Sequence, residues 1–180
     1  MIKKIGIDID GVLMDFEKAI RWFFQMPEEF YGSTYVLAPL LTVEKEQRFY
    51  QLLHDPFFMC DVVKFIPCTI TFLNKLIWDP KLDITIISGR EKEVRKATDK
   101  LIRDVSGFFG DIIWDKEKWK YDFDCLFEDD PKVIVKVKKQ TQVFVPIYKY
   151  NEDIGILPNV FRYPKEQIQD CYKIIIKGDE

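Results

Sequence analysis

Two aspartates near the start of the chain have the type and spacing of a catalytic carboxylate pair. The run Ile5-Gly6-Ile7-Asp8-Ile9-Asp10-Gly11 is β-branched at alternate positions, as a buried strand requires. A period of two puts Asp8 and Asp10 on one side of the chain, and Gly11 permits a sharp turn at the strand end. Because such carboxylates repel each other and lose hydration, they need a cation, and Mg²⁺ prefers oxygen ligands. A surface Asp-Gly turn is the alternative, but the flanking apolar residues favour a catalytic motif.

Short apolar strands alternate with helices along the chain, which predicts an α/β fold with a Rossmann-like parallel sheet and helices on both faces. The later predicted strands are 82–87, 112–114, 125–127 and 143–145, with 143–145 the last strand of the core. Predicted helices cover 67–77, 94–105, 131–139 and 164–177, although Val133, Ile134, Val135 and Val137 also fit a strand. In such a sheet, reactive groups collect at the carboxyl ends of the strands.

Residues 16–65 do not follow this alternation. Phe16, Ala19, Ile20, Phe23 and Phe24 recur at helical spacing, and a second helix is predicted for 43–53. Breaks in the helical pattern fall at Pro27, Gly32 and Pro39. We interpret 16–65 as a small helical cap inserted after the first strand, and residues 1–15 and 66–180 as the catalytic core.

The composition is that of an ordinary globular protein and excludes several classes. Of the 180 residues, 47% are hydrophobic and 32% charged, and the net charge of −3 argues against a general nucleic-acid binder. No apolar run reaches membrane-spanning length, and the N-terminus leads directly into the first strand. We therefore expect a cytoplasmic protein without membrane contact. Four widely spaced cysteines and one histidine suggest neither a disulfide framework nor a zinc site. The oligomeric state stays open, a homodimer included.

Polar residues also follow two later strands. Ser88-Gly89-Arg90 comes after the second strand, where a hydroxyl and backbone N–H groups at a helix start can hold phosphate oxygens. The serine could equally be a helix N-cap, and Arg90 either binds phosphate or is solvated. Glu128 and Asp129 follow Phe127 at the end of another strand. Three such placements in one chain favour an active site.

Taken together, these motifs resemble those of the haloacid-dehalogenase-like phosphatases. Asp8-Ile9-Asp10-Gly11 is similar to their first motif, Ser88-Gly89-Arg90 to the second and Leu126–Pro131 to the fourth. The segments Val12–Phe16, Pro56–Phe58, Phe65–Pro67 and Val143–Asn151 are more narrowly similar to the 5'(3')-deoxyribonucleotidases of that superfamily. The similarity therefore spans most of the chain, loosely in the cap and closely at the motifs.

The resemblance implies a Mg²⁺-dependent phosphomonoester hydrolase with a small-molecule substrate, a (deoxy)nucleoside monophosphate. It makes Asp8 the nucleophile, Asp10 the general acid/base, and Lys118 a phosphate-binding residue with Ser88, Gly89 and Arg90; Lys116 and Lys120 are rivals for the lysine. Asp8, Asp10, Glu128 and Asp129 would hold the metal, with the direct ligand among the last two left open. Phe16, Phe57 and Phe58 would stack on the nucleobase, although aromatic residues at helical spacing commonly fill a core.

One departure from the nucleotidase pattern bears on the substrate. Those enzymes usually have Thr-Ser in the second motif, whereas Ser88-Gly89-Arg90-Glu91 is more like the phosphatase half of polynucleotide kinase/phosphatase enzymes. A 3'-phosphatase acting on nucleic-acid ends is therefore the second hypothesis. The third is a non-catalytic binding protein with the same fold.

Overall fold

In the computed structural model, residues 2–26 and 42–177 are described, and the breaks predicted at Pro27, Gly32 and Pro39 lie outside these residues. Six strands form one sheet in the order β3-β2-β1-β4-β5-β6, and every neighbouring pair is parallel. The strands are β1 (Lys3–Ile7), β2 (Leu82–Ser88), β3 (Asp111–Trp114), β4 (Cys125–Phe127), β5 (Gln142–Pro146) and β6 (Val160–Tyr163).

The register brings three strand ends together. Ile7, the last residue of β1, pairs with Ile86 of β2 on one side and with Phe127 of β4 on the other. The carboxyl ends of β1, β2 and β4 therefore lie side by side, which brings together the residues that follow β1 and β4 and those that end β2. This confirms the predicted parallel α/β fold and gives the polar motifs a common location.

The helices divide unequally between the two faces of the sheet. They are α1 (Phe16–Phe23), α2 (Val43–Leu53), α3 (Thr69–Ile77), α4 (Lys92–Ser106), α5 (Pro131–Ile134) and α6 (Ile168–Lys177). Alternation along β2 turns Ile86 toward the core packed by α3, α4 and α6, and Ile87 toward a smaller cluster. That smaller cluster is covered by α5 and a 3₁₀ turn at Lys118–Lys120.

Two sequence-based predictions of elements were wrong. Val143–Val145 is not the last strand, because Val160–Tyr163 adds β6 at the edge of the sheet. The helix predicted from Pro131 to Lys139 ends at Ile134. Its C-terminal part contains Val135 and Val137, whose β-branched side chains lose rotamer freedom in a helix.

The described chain between β1 and α3 consists mainly of helices and turns, with isolated β-bridges that join Met14 to Asp10 and to Phe65. Besides α1 and α2, it contains a π-helix at Phe58–Val62. Its apolar side chains join the main core through Ile20, Phe49 and Phe58. The division into a core and a cap at residues 16–65 stays a prediction. None of the helices within 2–26 and 42–177 is long and apolar enough to cross a membrane.

Candidate active site

Asp8, Lys118 and Glu128 form a buried ionic cluster at the carboxyl ends of β1 and β4. The Lys118 ammonium lies 2.5 Å from Asp8 Oδ2 and 2.9 Å from Glu128 Oε2. All three side chains are buried. Burial raises the pKa of Asp8 well above its ordinary value, the nearby Glu128 adds to the rise, and the Lys118 ammonium opposes it. Burial alone would lower the pKa of Lys118, but the charges of Asp8 and Glu128 raise it.

The structure distinguishes Lys118 from its two rivals. Lys118 begins the 3₁₀ turn and points inward, whereas Lys116 is largely exposed and pairs with Glu91 at 2.6 Å. Lys120 is also exposed and pairs with Glu117. Of these three lysines, only Lys118 can therefore neutralise charge beside Asp8.

Glu128 and Asp129 have different surroundings although they are adjacent. Oε1 of Glu128 accepts the backbone N–H groups of Asp129 and Asp130 at 3.1 and 3.0 Å, while its Oε2 accepts from Lys118. Asp129 lines the pocket and accepts a short hydrogen bond from the Tyr150 hydroxyl on Oδ2. Burial and the Glu128 charge raise the pKa of Asp129. Both oxygens of Glu128 thus already accept hydrogen bonds from the protein, and Asp129 is the more available of the two as a metal ligand.

The carboxylates of Asp8, Glu128 and Asp129 suit a divalent cation. One oxygen from each lies within 4.8 Å of the others, and three carboxylates exceed the single charge that Lys118 supplies. Gly11 makes room for this arrangement: its φ is +78°, and a Cβ there would lie 2.1 Å from Asp129 Oδ2. Oxygen donors in this number fit Mg²⁺, which commonly binds through one or two carboxylates, water and phosphate.

Asp10 does not join these carboxylates but forms a fork with Arg90. Nε of Arg90 donates to Oδ2 of Asp10 at 2.9 Å, and Nη2 donates to Oδ1 at 2.7 Å. Such a two-point contact fixes both the position and the plane of a carboxylate. The Asp10 side chain is therefore directed at Arg90 and is not one of the three grouped carboxylates, so its assignment as a metal ligand stays a prediction.

Arg90 is itself buried and its hydrogen bonds are satisfied. Besides Asp10, Nη1 donates to the Met59 carbonyl at 3.1 Å and to Thr98 Oγ1 at 2.8 Å, and Nη2 also approaches Met14 Sδ. All five N–H donors of the guanidinium are thus used, and none is left for a phosphate. We therefore revise the predicted role of Arg90 from phosphate binding to positioning of Asp10.

Ser88 and Gly89 lie where the second motif predicted, at the end of β2 and on the pocket wall. The Ser88 hydroxyl accepts the backbone N–H of Arg90 at 3.3 Å, so it can still donate its proton. A Cβ on Gly89 would come within 3.0 Å of the Lys116 side chain. The small residue therefore lets the Lys116–Lys118 segment approach the end of β2.

A pocket of about 420 Å³ opens between this cluster and the helical segment. Its walls include Asp8, Asp10, Gly11, Ser88, Gly89, Lys118 and Asp129 from the sheet edge, and Phe16, Glu17, Phe49, Tyr50, Leu53 and Met59 from the helical segment. One side is therefore charged and the other mostly apolar. Such a division suits a phosphate joined to a less polar group.

The three predicted stacking residues differ in their placement. Phe16 lines the pocket but is buried, with edge-to-face contacts to Phe49 and Phe58 at 6.3 and 6.4 Å. Phe58 is 1% exposed and belongs to the core, while Phe57 is 67% exposed and lies outside the pocket. Phe57 and Phe58 are therefore not placed to stack on a substrate.

Sequence reasoning missed several pocket residues, among them Tyr50, Tyr150 and Glu17. Tyr50 is 52% exposed at the pocket, one residue after the buried Phe49 on α2. Tyr150 follows β5 and reaches Asp129, and Glu17 comes directly after Phe16. The signal for Glu17 was a carboxylate inside an apolar helical pattern, and for Tyr150 its place in the segment similar to the nucleotidases.

Comparisons with known proteins support the fold through structure rather than sequence. No family model matches the chain, and no curated protein matches it. A haloacid-dehalogenase-like hydrolase from Streptococcus pneumoniae is similar with a TM-score of 0.57 and 13% identity, over 95% of this chain and 98% of its own. A haloacid-dehalogenase-like protein of unknown function from Agrobacterium tumefaciens gives 0.57 and 16%, with 100% of both chains covered.

A third similar structure comes from Thermotoga maritima and is provisionally described as a β-phosphoglucomutase. Its TM-score is 0.58 at 15% identity, over 97% of this chain and 100% of its own. Likeness at such low identity concerns the backbone and not the substrate. The chain therefore has the fold of the haloacid-dehalogenase-like hydrolases.

Proposed function

We propose that the protein is a phosphomonoester hydrolase that acts through a covalent aspartyl-phosphate on Asp8. The observation that carries this proposal is the position of Lys118 between Asp8 and Glu128, beside Asp129 and at the pocket. A carboxylate repels an incoming phosphate dianion, and a fixed ammonium removes part of that repulsion. This arrangement supports nucleophilic attack rather than simple anion binding.

The reaction divides into two displacements. In the first, a carboxylate oxygen of Asp8 attacks phosphorus in line, the ester P–O bond breaks, and Asp10 protonates the leaving alkoxide. In the second, Asp10 takes a proton from water, which attacks the aspartyl-phosphate and releases inorganic phosphate and free Asp8. Arg90 keeps Asp10 in one orientation during both steps. Lys118, the Ser88 hydroxyl and the backbone at Gly89 stabilise the charge of the phosphoryl group.

Asp8 and Asp129 are the residues we expect to hold Mg²⁺. Glu128 would act beside them by fixing Lys118 and the turn at Asp129, since both of its oxygens already accept hydrogen bonds from the protein. When bound, Mg²⁺ would supply positive charge for the non-bridging oxygens of the phosphoryl group.

A nucleoside monophosphate is the substrate class that we propose. Phe16, Phe49 and Tyr50 give the pocket an aromatic side opposite the charged cluster, and Tyr50 offers an exposed ring. Nucleobases stack on such rings irrespective of sequence. We therefore expect Tyr50, instead of Phe57 or Phe58, to stack on the nucleobase.

The test is release of phosphate from phenyl phosphate by the purified protein, with Mg²⁺ and with excess chelator. We expect activity with Mg²⁺, loss in chelator, and a decrease of several orders of magnitude in Asp8→Asn. Asp61→Asn, a change at an exposed aspartate outside the pocket, is the matched control. Wild-type activity in Asp8→Asn would refute the aspartyl-phosphate.

A second set of substrates separates the functional hypotheses. Deoxyribonucleoside 5'- and 3'-monophosphates are compared with oligonucleotides that carry a 3'-phosphate. A higher kcat/KM for the mononucleotides supports the proposal, and a higher value for the oligonucleotides supports a 3'-phosphatase. If none of these phosphomonoesters is hydrolysed with Mg²⁺, the phosphatase proposal fails and a non-catalytic binding protein with this fold is favoured.

A further inference from the structure

Glu17 is a buried carboxylate on the pocket wall that the proposed reaction does not use. It lies in the first turn of α1 and is only 6% exposed. It lines the same pocket as Asp8 and Asp10 but comes from the helical segment rather than from the sheet edge. The Glu17 side chain therefore borders the space in which the reacting phosphate would lie.

Within the described parts of the chain, the Glu17 side chain makes no hydrogen bond. Its recorded contact is with Nε of Arg21, one helical turn later, at 3.6 Å, which is too long for a hydrogen bond. The start of α1 does not need Glu17, because Asp15 accepts the N–H of Lys18 and binds Lys165 at 2.9 Å. No donor in residues 2–26 and 42–177 hydrogen-bonds the Glu17 carboxylate, so we expect it to be able to accept hydrogen bonds from a ligand.

Stability does not explain why a carboxylate is buried here. Burial raises the pKa of Glu17, and the Arg21 charge offsets only part of this effect. An ion pair between helical residues four apart stabilises a helix only slightly, whereas the removal of a carboxylate from water is unfavourable. Residues that reduce stability in this way are commonly kept for binding.

We propose that Glu17 accepts a hydrogen bond from the leaving group of the substrate and so selects phosphomonoesters that carry a hydroxyl or N–H donor. The inference rests on the proposed phosphatase activity. The phosphate itself cannot be the partner, because two anions repel each other. The neighbouring Tyr50, Leu53 and Met59 would pack against the apolar body of the same leaving group. Glu17 is then a specificity-determining residue.

The experiment combines variants of Glu17 with substrates that lack single donors. Thymidine 5'-monophosphate, its 3'-deoxy analogue, its N3-methyl analogue and phenyl phosphate are assayed with wild type, Glu17→Gln and Glu17→Leu. In wild type, removal of the donor that meets Glu17 should lower kcat/KM by about ten- to a hundredfold, as for a hydrogen bond to a charged group. In Glu17→Leu the same removal should have little further effect, because both changes abolish one interaction.

The controls decide between recognition and packing. Glu44→Gln, at an exposed position of α2, should retain the wild-type preference among the substrates. Glu17→Gln, which keeps an acceptor oxygen, should retain more of the preference than Glu17→Leu, and urea unfolding checks that both variants fold. If each donor removal has the same effect in all variants, or if phenyl phosphate loses as much as the nucleotide, the inference is overturned. Failure of wild type on phenyl phosphate would instead overturn the proposed function.

Discussion

Replacement of Lys118 by methionine should destabilise the protein more than any other single lysine change at the pocket. Methionine is apolar and similar in length, so Lys118→Met removes the charge with little change in packing. It leaves Asp8 and Glu128 buried without the cation that lies 2.5 and 2.9 Å from them. The free energy of unfolding should therefore fall, and the size of the decrease can be worked from these distances.

With an effective dielectric constant near 20, each of the two contacts supplies about 6 kcal/mol of attraction before the cost of removing the ions from water. Most of this attraction offsets desolvation, and loss of one partner from a buried ion pair typically costs about 3–5 kcal/mol. Lys116→Met is the matched control. The Lys116 side chain is 67% exposed, and exposed ion pairs contribute about 0–1 kcal/mol.

Urea unfolding at several pH values measures the effect. A carboxylate whose folded-state pKa is raised, as at Asp8 and Asp129, stabilises the fold at low pH, and this stabilisation is lost as the pH rises through the raised pKa. Loss of Lys118 raises these pKa values further. The deficit of Lys118→Met should therefore be largest at neutral pH and shrink toward about pH 4, the ordinary range of aspartate. Mg²⁺ at neutral pH should restore part of the stability. A deficit below 1 kcal/mol, or one independent of pH, would refute the reasoning.

Three other changes test separate parts of the site. In Gly11→Ala the new Cβ would lie 2.1 Å from Asp129 Oδ2, so calorimetry should show weaker Mg²⁺ binding and urea unfolding should show a loss of more than about 1 kcal/mol of stability. Gly155→Ala, with open space around the new Cβ, should change neither. Arg90→Lys cannot form the two-point contact with the Asp10 carboxylate, so steady-state assays should show kcat lowered by about a hundredfold with KM little changed. An equal rise in KM would contradict a positioning role. Tyr50→Ala should lower the ratio of kcat/KM for thymidine monophosphate to that for phenyl phosphate by about ten- to a hundredfold, and an unchanged ratio would exclude stacking.

The sequence predicted those parts of the fold whose signal lies in consecutive residues. The apolar runs of β1, β2 and β4 and the polar residues at their ends lie where periodicity indicated. The sequence did not predict β6, because Phe161 and Arg162 are exposed at the sheet edge and the segment lacks a buried apolar run. An edge strand is defined by its neighbour, and that information is not local.

Side-chain partners far apart in sequence were the least predictable part of the site. Phe57 and Phe58 are adjacent, yet the π-helix that begins at Phe58 buries one ring and leaves the other exposed. The partner of Arg90, Asp10, lies 80 residues earlier, and no local pattern indicates a contact over that separation. Sequence therefore identified the reactive residue types, while their pairing required the fold.

The pairing divides the candidate site into two cation–carboxylate units with separate tasks. Lys118 holds Asp8, where a phosphoryl group would be attached, and Arg90 holds Asp10, where a proton would move. Because the Arg90 guanidinium also donates to the Met59 carbonyl, the orientation of Asp10 depends on the helical segment as well as on the sheet. Within residues 2–26 and 42–177, Asp8 makes no hydrogen bond or ion pair with the helical segment, since its partners all come from the sheet edge and the turn at Lys118. The proposed nucleophile is thus held by contacts from the sheet edge and the Lys118 turn, whereas one of the contacts that orient the proposed acid/base, through Arg90 and the Met59 carbonyl, comes from the helical segment.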